Sequence, residues 1–158
     1  MNWESALLSG FLGTIALTTI MAGSQSLRLT RMNVPFMIGT IFTPDRDKAK
    51  LIGIVVHFLN GWWITLIYAA LFQEWGYASW WLGAILGLVH ALFLLVVIMP
   101  AVPGLHPRMA TEHRGPTPTK QLEPPGFLAL NYGHRTPLSI VLAHLVYGAI
   151  VGALYRPG

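Results

Sequence analysis

The sequence predicts an all-α integral membrane protein, a four-helix bundle. Three observations carry that prediction. Hydrophobic residues make up 54% of the 158-residue chain and charged residues 10%, against about 25% charged in ordinary soluble domains. The apolar residues fall in four long continuous runs. Nine of the ten Lys and Arg residues lie between those runs on what would be one side of a bilayer. The length suits one domain, so the chain reads as a single four-span transmembrane domain.

A hydrocarbon core of ~30 Å needs about 20 apolar helical residues. Residues 3–22, 51–72, 80–99 and 137–155 meet that need, the last with some tilt of its neighbours or local thinning of the bilayer. Helices or closed barrels alone satisfy the backbone in lipid, and these runs lack the alternation of barrel strands. Asn2 suits the N-cap of the first span. Glu4 stands where a cleavable signal would carry cations, so this segment is expected to be retained. Residues 26–42 mix apolar and basic side chains around Pro35 and Gly39. They read as an interfacial continuation of the first helix, with 36–42 dipping toward lipid.

Thr43-Pro44 reads as N-cap and first residue of the second helix, which then enters lipid near Leu51. Ser79 suits the cap of the third, and Pro100 and Pro103 are expected to stop it. Thr136-Pro137 repeats the cap signal before the fourth. Residues 100–137 hold eight of the eleven prolines. Loop 100–136 is therefore expected to be extended, and to serve as the surface for other subunits of a membrane complex.

Charge gives an orientation. Arg28, Arg31, Arg46, Lys48 and Lys50 lie in loop 23–50; Arg108, Arg114, Lys120 and Arg135 lie in loop 100–136. The positive-inside rule makes both loops cytoplasmic and both termini outside, in a cytoplasmic (inner) membrane. Trp3, Trp75, Tyr77, Trp80 and Trp81 collect on the opposite side, as an interfacial belt does. The net charge of +4 thus points to bilayer orientation and not to nucleic acid. There is no cysteine, which removes disulfides, thiolate metal sites and cysteine nucleophiles. No phosphate loop, nucleophile elbow or HExxH site is present, and no acid–base pair stands out for catalysis on lipid.

One skeleton occurs twice: His57-x3-Gly61-x6-Tyr68 and His144-x3-Gly148-x6-Tyr155. Both follow Thr-Pro, which raises an organisation of two tandem two-helix hairpins. Gly83-x3-Gly87, Gly148-x3-Gly152, Ala6-x3-Gly10 and Ser9-x3-Gly13 are small-xxx-small pairs that predict close helix packing.

His57, His90 and His144 lie within spans, where an ionisable residue normally faces protein. At 1.5 Å per residue, His57 and His144 sit roughly 10 Å below the basic boundary and His90 roughly 15 Å below its own. Four readings compete. The imidazoles suit register contacts to Asn60, Tyr147, Thr14 or Thr18. His57 and His144 suit the two axial positions of haem b, with Gly61 and Gly148 giving the ring room. His57, His90 and His144 suit a bare metal, although no carboxylate is inside the membrane. The same three suit passage of protons, with the same shortage of carboxylates. His106, His113 and His134 read as solvated. The chain is thus expected to be a non-enzymatic accessory subunit or a haem- or metal-carrying bundle. The alternative is a small transporter or proton-conducting protein.

Overall fold

The computed structural model describes residues 1–111 and 113–158. The fold is all-helical. The long helices are α1 (Trp3–Ser26), α3 (Arg46–Trp75), α4 (Trp80–Phe93) with its continuation, and α6 (Thr136–Leu154). The α4 helix runs on through a π-helical turn (Leu94–Ile98) into α5 (Met99–Leu105), so that Trp80–Leu105 forms one length of 26 residues. A short helix α2 (Val34–Phe42) stands between α1 and α3, and a 3₁₀ segment (Phe127–Tyr132) precedes α6. Four helices are long and apolar enough to cross a membrane. Their outer faces are apolar: Leu8, Phe11, Leu59, Trp63, Val89 and Leu142 are all exposed. In water that surface would drive aggregation; in lipid it needs no cover.

The chain divides into two compact units. The first comprises Met1–Gly23, Phe58–Ala91 and Ile140–Gly158, and the second Ser24–His57 and Leu92–Ser139. Nine of the ten Lys and Arg residues belong to the second. The exposed Trp3, Trp75, Tyr77, Trp80 and Trp81 belong to the first.

In the first unit, parts of α1, α3, α4 and α6 pack through glycine. A Cβ at Gly83 would strike the Gly148 carbonyl, and one at Gly148 the Gly83 carbonyl; Gly87 meets the His144 carbonyl and Gly152 that of Ser79. The two expected GxxxG pairs are thus two sides of one seam, where dispersion and close backbone approach hold α4 to α6. On α1, Gly10 receives Thr65 and Trp62, and Gly13 receives Tyr147. The caps match expectation: Asn2 Oδ1 accepts from the Ser5 N–H at 3.1 Å and Ser79 Oγ from Leu82 N–H at 3.4 Å.

The second unit departs further from the sequence reading. The α1 helix does not run on as an interfacial piece. It ends in a Schellman turn, with Leu29 N–H on the Ser24 carbonyl and Arg28 N–H on that of Gln25, both 2.9 Å. Arg28 takes the left-handed position at φ 57°, which glycine usually fills. Asn33 then caps a separate α2, whose Gly39 and Gly53 of α3 close a second backbone seam, against Ala49 and Pro35.

Asp45, not Thr43, caps α3, accepting from Asp47 and Lys48 N–H at 3.0 and 2.9 Å. The Thr43 hydroxyl accepts from the Asp45 N–H at 3.2 Å, a turn that delays the helix by two residues. The Thr136 hydroxyl bonds Thr30 Oγ1 at 2.7 Å instead of capping α6. Pro100 and Pro103 do not stop the third helix. The π turn ahead of them puts the Met99 N–H on the Leu94 carbonyl, and this wider turn relaxes the clash that a proline makes with the preceding turn.

Segment 106–135 folds on itself. Ala110 N–H bonds the Leu122 carbonyl at 2.9 Å, Leu122 N–H that of Arg108 at 3.0 Å, and Arg31 pairs with Glu123 at 2.9 Å. Glu112 lies outside the described residues.

Candidate functional site

The first unit holds a buried polar cluster built by three helices. On α3, helical spacing sets Gly61, Thr65 and Tyr68 on one face. Tyr147 and His144 come from α6 and His90 from α4. Tyr147, 2% exposed, donates its hydroxyl hydrogen to the Gly61 carbonyl at 2.8 Å. Its oxygen is 2.7 Å from Thr65 Oγ1, and that hydroxyl is also 2.9 Å from the Gly61 carbonyl. The three groups close a triangle around a carbonyl that α3 already uses. The absent side chain of Gly61 leaves the place that the Thr14 hydroxyl fills from α1.

The cluster continues through rings. Tyr68 stands edge-on to Tyr147, centroids 5.7 Å apart. Its hydroxyl lies 3.4 Å from His90 Nδ1. The His90 and His144 rings meet edge to face, centroids 4.8 Å apart and planes at 86°. His144 Nδ1 is 2.8 Å from the Ile140 carbonyl of its own helix. A carbonyl only accepts, so His144 Nδ1 carries a proton and donates it there.

The sequence-predicted residues therefore fare unevenly. His90 and His144 are brought together. Of the expected register partners, the Thr14 and Thr18 hydroxyls donate to carbonyls of α1 itself, and the Tyr147 hydroxyl meets Thr65 and Gly61. The notches beside Gly61 and Gly148, expected to admit a haem ring, are filled by Thr14 and by the α4 backbone at Gly83. A ring beside Gly148 would have to displace α4, so these residues do not fit haem in this packing. His57 is buried on α3 in the second unit. Among the described residues no group of three His, Asp or Glu side chains is placed to hold a metal ion, and the expected triad of His57, His90 and His144 forms no such group.

Two residues escaped the sequence reading. Thr65, fully buried, is one turn from Gly61 on the same face; that spacing was the available signal. His106, read as solvated, is buried. Its Nε2 donates to the Met37 carbonyl at 2.9 Å and its Nδ1 accepts from Arg108 N–H at 3.1 Å. Burial holds this imidazole below the ordinary histidine range; the Met37 carbonyl opposes that shift, and the Arg108 and Lys120 charges add to it. Nothing near it in sequence signals the contact, because its partner Met37 lies 69 residues away in the chain.

No protein-family model, curated protein or solved structure matches this chain. Fold and site together define its class: a helical bundle with four candidate membrane spans, closed by glycine seams around a polar cluster of Tyr, Thr and His.

Proposed function

We propose that the chain is a multi-pass membrane protein without a catalytic centre of its own, an accessory subunit of a membrane complex. The observation that carries this reading is the closure of the polar cluster. Tyr147, Thr65 and His144 spend their donors on carbonyls or on each other, and the glycine notches are filled by neighbouring helices. Polar groups so committed fix helix register. The charge distribution supports cytoplasmic loops 23–50 and 100–136 and outside termini, which leaves the folded segment 106–135 to meet partner subunits.

The test begins with alkaline extraction of membranes, where the protein stays with the lipid. After mild solubilisation it migrates in a complex larger than its own detergent-bound mass, and exchange of 116–121 for Gly-Ser residues releases it. A protein that is extracted by alkali, or that runs as a monomer in every mild detergent, contradicts the reading. The haem-carrying variant requires a strong absorption band in the region of ~400–430 nm. The purified protein is expected to lack it.

Proton conduction is the second reading. It is favoured by the sequence of ring contacts Tyr147, Tyr68, His90, His144. Against it stands the lack of an intramembrane carboxylate. Proteoliposomes with an internal pH dye decide it: flux that His90→Ala abolishes supports conduction.

A further inference from the structure

The second unit contains a cavity of about 740 Å³, lined by Phe36, Thr40, Arg46, Arg108, Thr119 and Gln121 together with three prolines and Leu122. Two arginines line it, and among the described residues that line it none is acidic. Each cation is held in place. The Arg46 guanidinium lies over the Phe36 ring, 5.5 Å from its centroid. Arg108 Nη1 donates to the carbonyls of Thr40 and Ile41 at 2.6 and 3.0 Å, which fastens it to the end of α2. A guanidinium has five donors, so this anchoring leaves part of the fork for a ligand. The acidic neighbours are engaged otherwise: Asp45 caps α3 and Asp47 pairs with Lys50 at 3.0 Å.

Two anchored guanidinium groups match an oxyanion better than an apolar ligand, and the threonine and glutamine donors beside them suit the further oxygens of a phosphate. The chain next to the lining residues has a second character. Ile41 and Phe42, which directly follow Thr40, are 44% and 59% exposed, and Leu51 one turn beyond Lys48 is 69% exposed. An anion site on residues that open a candidate membrane span, with exposed apolar side chains close by in the chain, suits a lipid headgroup with its acyl chains.

We propose that this cavity binds a phosphate group, with the headgroup of an anionic phospholipid as the source that its surroundings favour. The lipid source rests on the membrane reading above, whereas binding of phosphate itself does not.

The experiment uses the full chain in a neutral detergent, with native mass spectrometry and thermal shift as readouts. The probes are dioleoylphosphatidylglycerol, dioleoylphosphatidylcholine, inorganic phosphate and glycerol phosphate. Phosphatidylglycerol should bind on the order of tenfold more tightly than phosphatidylcholine, the margin expected of about one extra desolvated cation contact. Arg46→Gln and Gln121→Glu should each remove that preference. Gln121→Glu touches no helix cap, which separates loss of binding from loss of folding. Lys48→Gln, equal in charge to Arg46→Gln but outside the cavity, should keep the preference. Binding of inorganic phosphate or glycerol phosphate that Arg46→Gln abolishes assigns the site to a soluble phosphate. Absence of binding by all the phosphate probes, or an equal loss in Lys48→Gln, overturns the proposal. Failure of alkaline retention with phosphate binding intact would remove the membrane reading and leave the site standing.

Discussion

The Tyr147 hydroxyl donates to the Gly61 carbonyl at 2.8 Å, a bond between α6 and α3 that reaches a backbone group inside a helix. Thr65 Oγ1 lies 2.7 Å from the same hydroxyl and 2.9 Å from the same carbonyl. Tyr147→Phe keeps the ring and deletes this bond. It should lower stability by about 1 kcal/mol, read as a lower midpoint for unfolding in mixed detergent micelles. An unchanged midpoint would mean that the hydroxyl contributes nothing to α3–α6 packing.

The Gly83–Gly148 contact makes a sharper demand. Gly148→Ala places a methyl group on the Gly83 carbonyl and should destabilise by about 1–3 kcal/mol, as overpacking does. Gly23→Ala is the control. It is also helical, but nothing lies within 4 Å of the added carbon, so it should be neutral or stabilising by up to ~1 kcal/mol through helix propensity. Equal effects of the two substitutions in thermal denaturation would sink the seam.

His106 gives a pH dependence with a defined sign. Its folded pKa is lowered, chiefly by burial, while the unfolded value is about 6.5. The unfolded chain therefore takes up the proton first as pH falls. The stability contributed by neutral His106 is complete above about pH 6.5, is lost as pH falls toward the folded pKa, and is constant below it. Protonation would also put a hydrogen on Nδ1, facing the Arg108 N–H. His106→Gln should flatten the melting-temperature profile between pH 5 and 7 relative to wild type. Parallel profiles for the two proteins would assign the slope to other groups.

Orientation can be read with cysteines, since the chain has none. Lys48 and Thr117 are exposed in the second unit and Tyr77 is exposed in the first. In intact cells an impermeant thiol reagent should label Tyr77→Cys and spare Lys48→Cys and Thr117→Cys until the membrane is opened. The reverse pattern would invert the topology.

The four long helices were legible in the sequence because their signals are local. Apolar length, helical spacing and caps such as Asn2 and Ser79 act within a few residues of where they stand. The GxxxG pairs announced close packing, and the spacing of Gly61 and Tyr68 set them on one face of α3. Where the sequence reading erred, a distant segment had taken over a local signal. Thr136 resembles a cap for α6 but bonds Thr30, and Pro100 resembles a stop but follows a π turn that accommodates it.

What the sequence determined by itself was therefore the helical class, the candidate spans and the one-sided charge, all consequences of composition along the chain. Only the tertiary structure decided what each glycine and histidine meets. Gly148 faces the backbone of Gly83, the His90 ring faces that of His144, and the His106 imidazole is seated between Met37 and Arg108. The physical reason is that a notch or a hydrogen-bonding edge in the sequence specifies a need. Which neighbour meets it depends on helix packing between residues far apart in the chain, and backbone and side-chain groups compete for the same place.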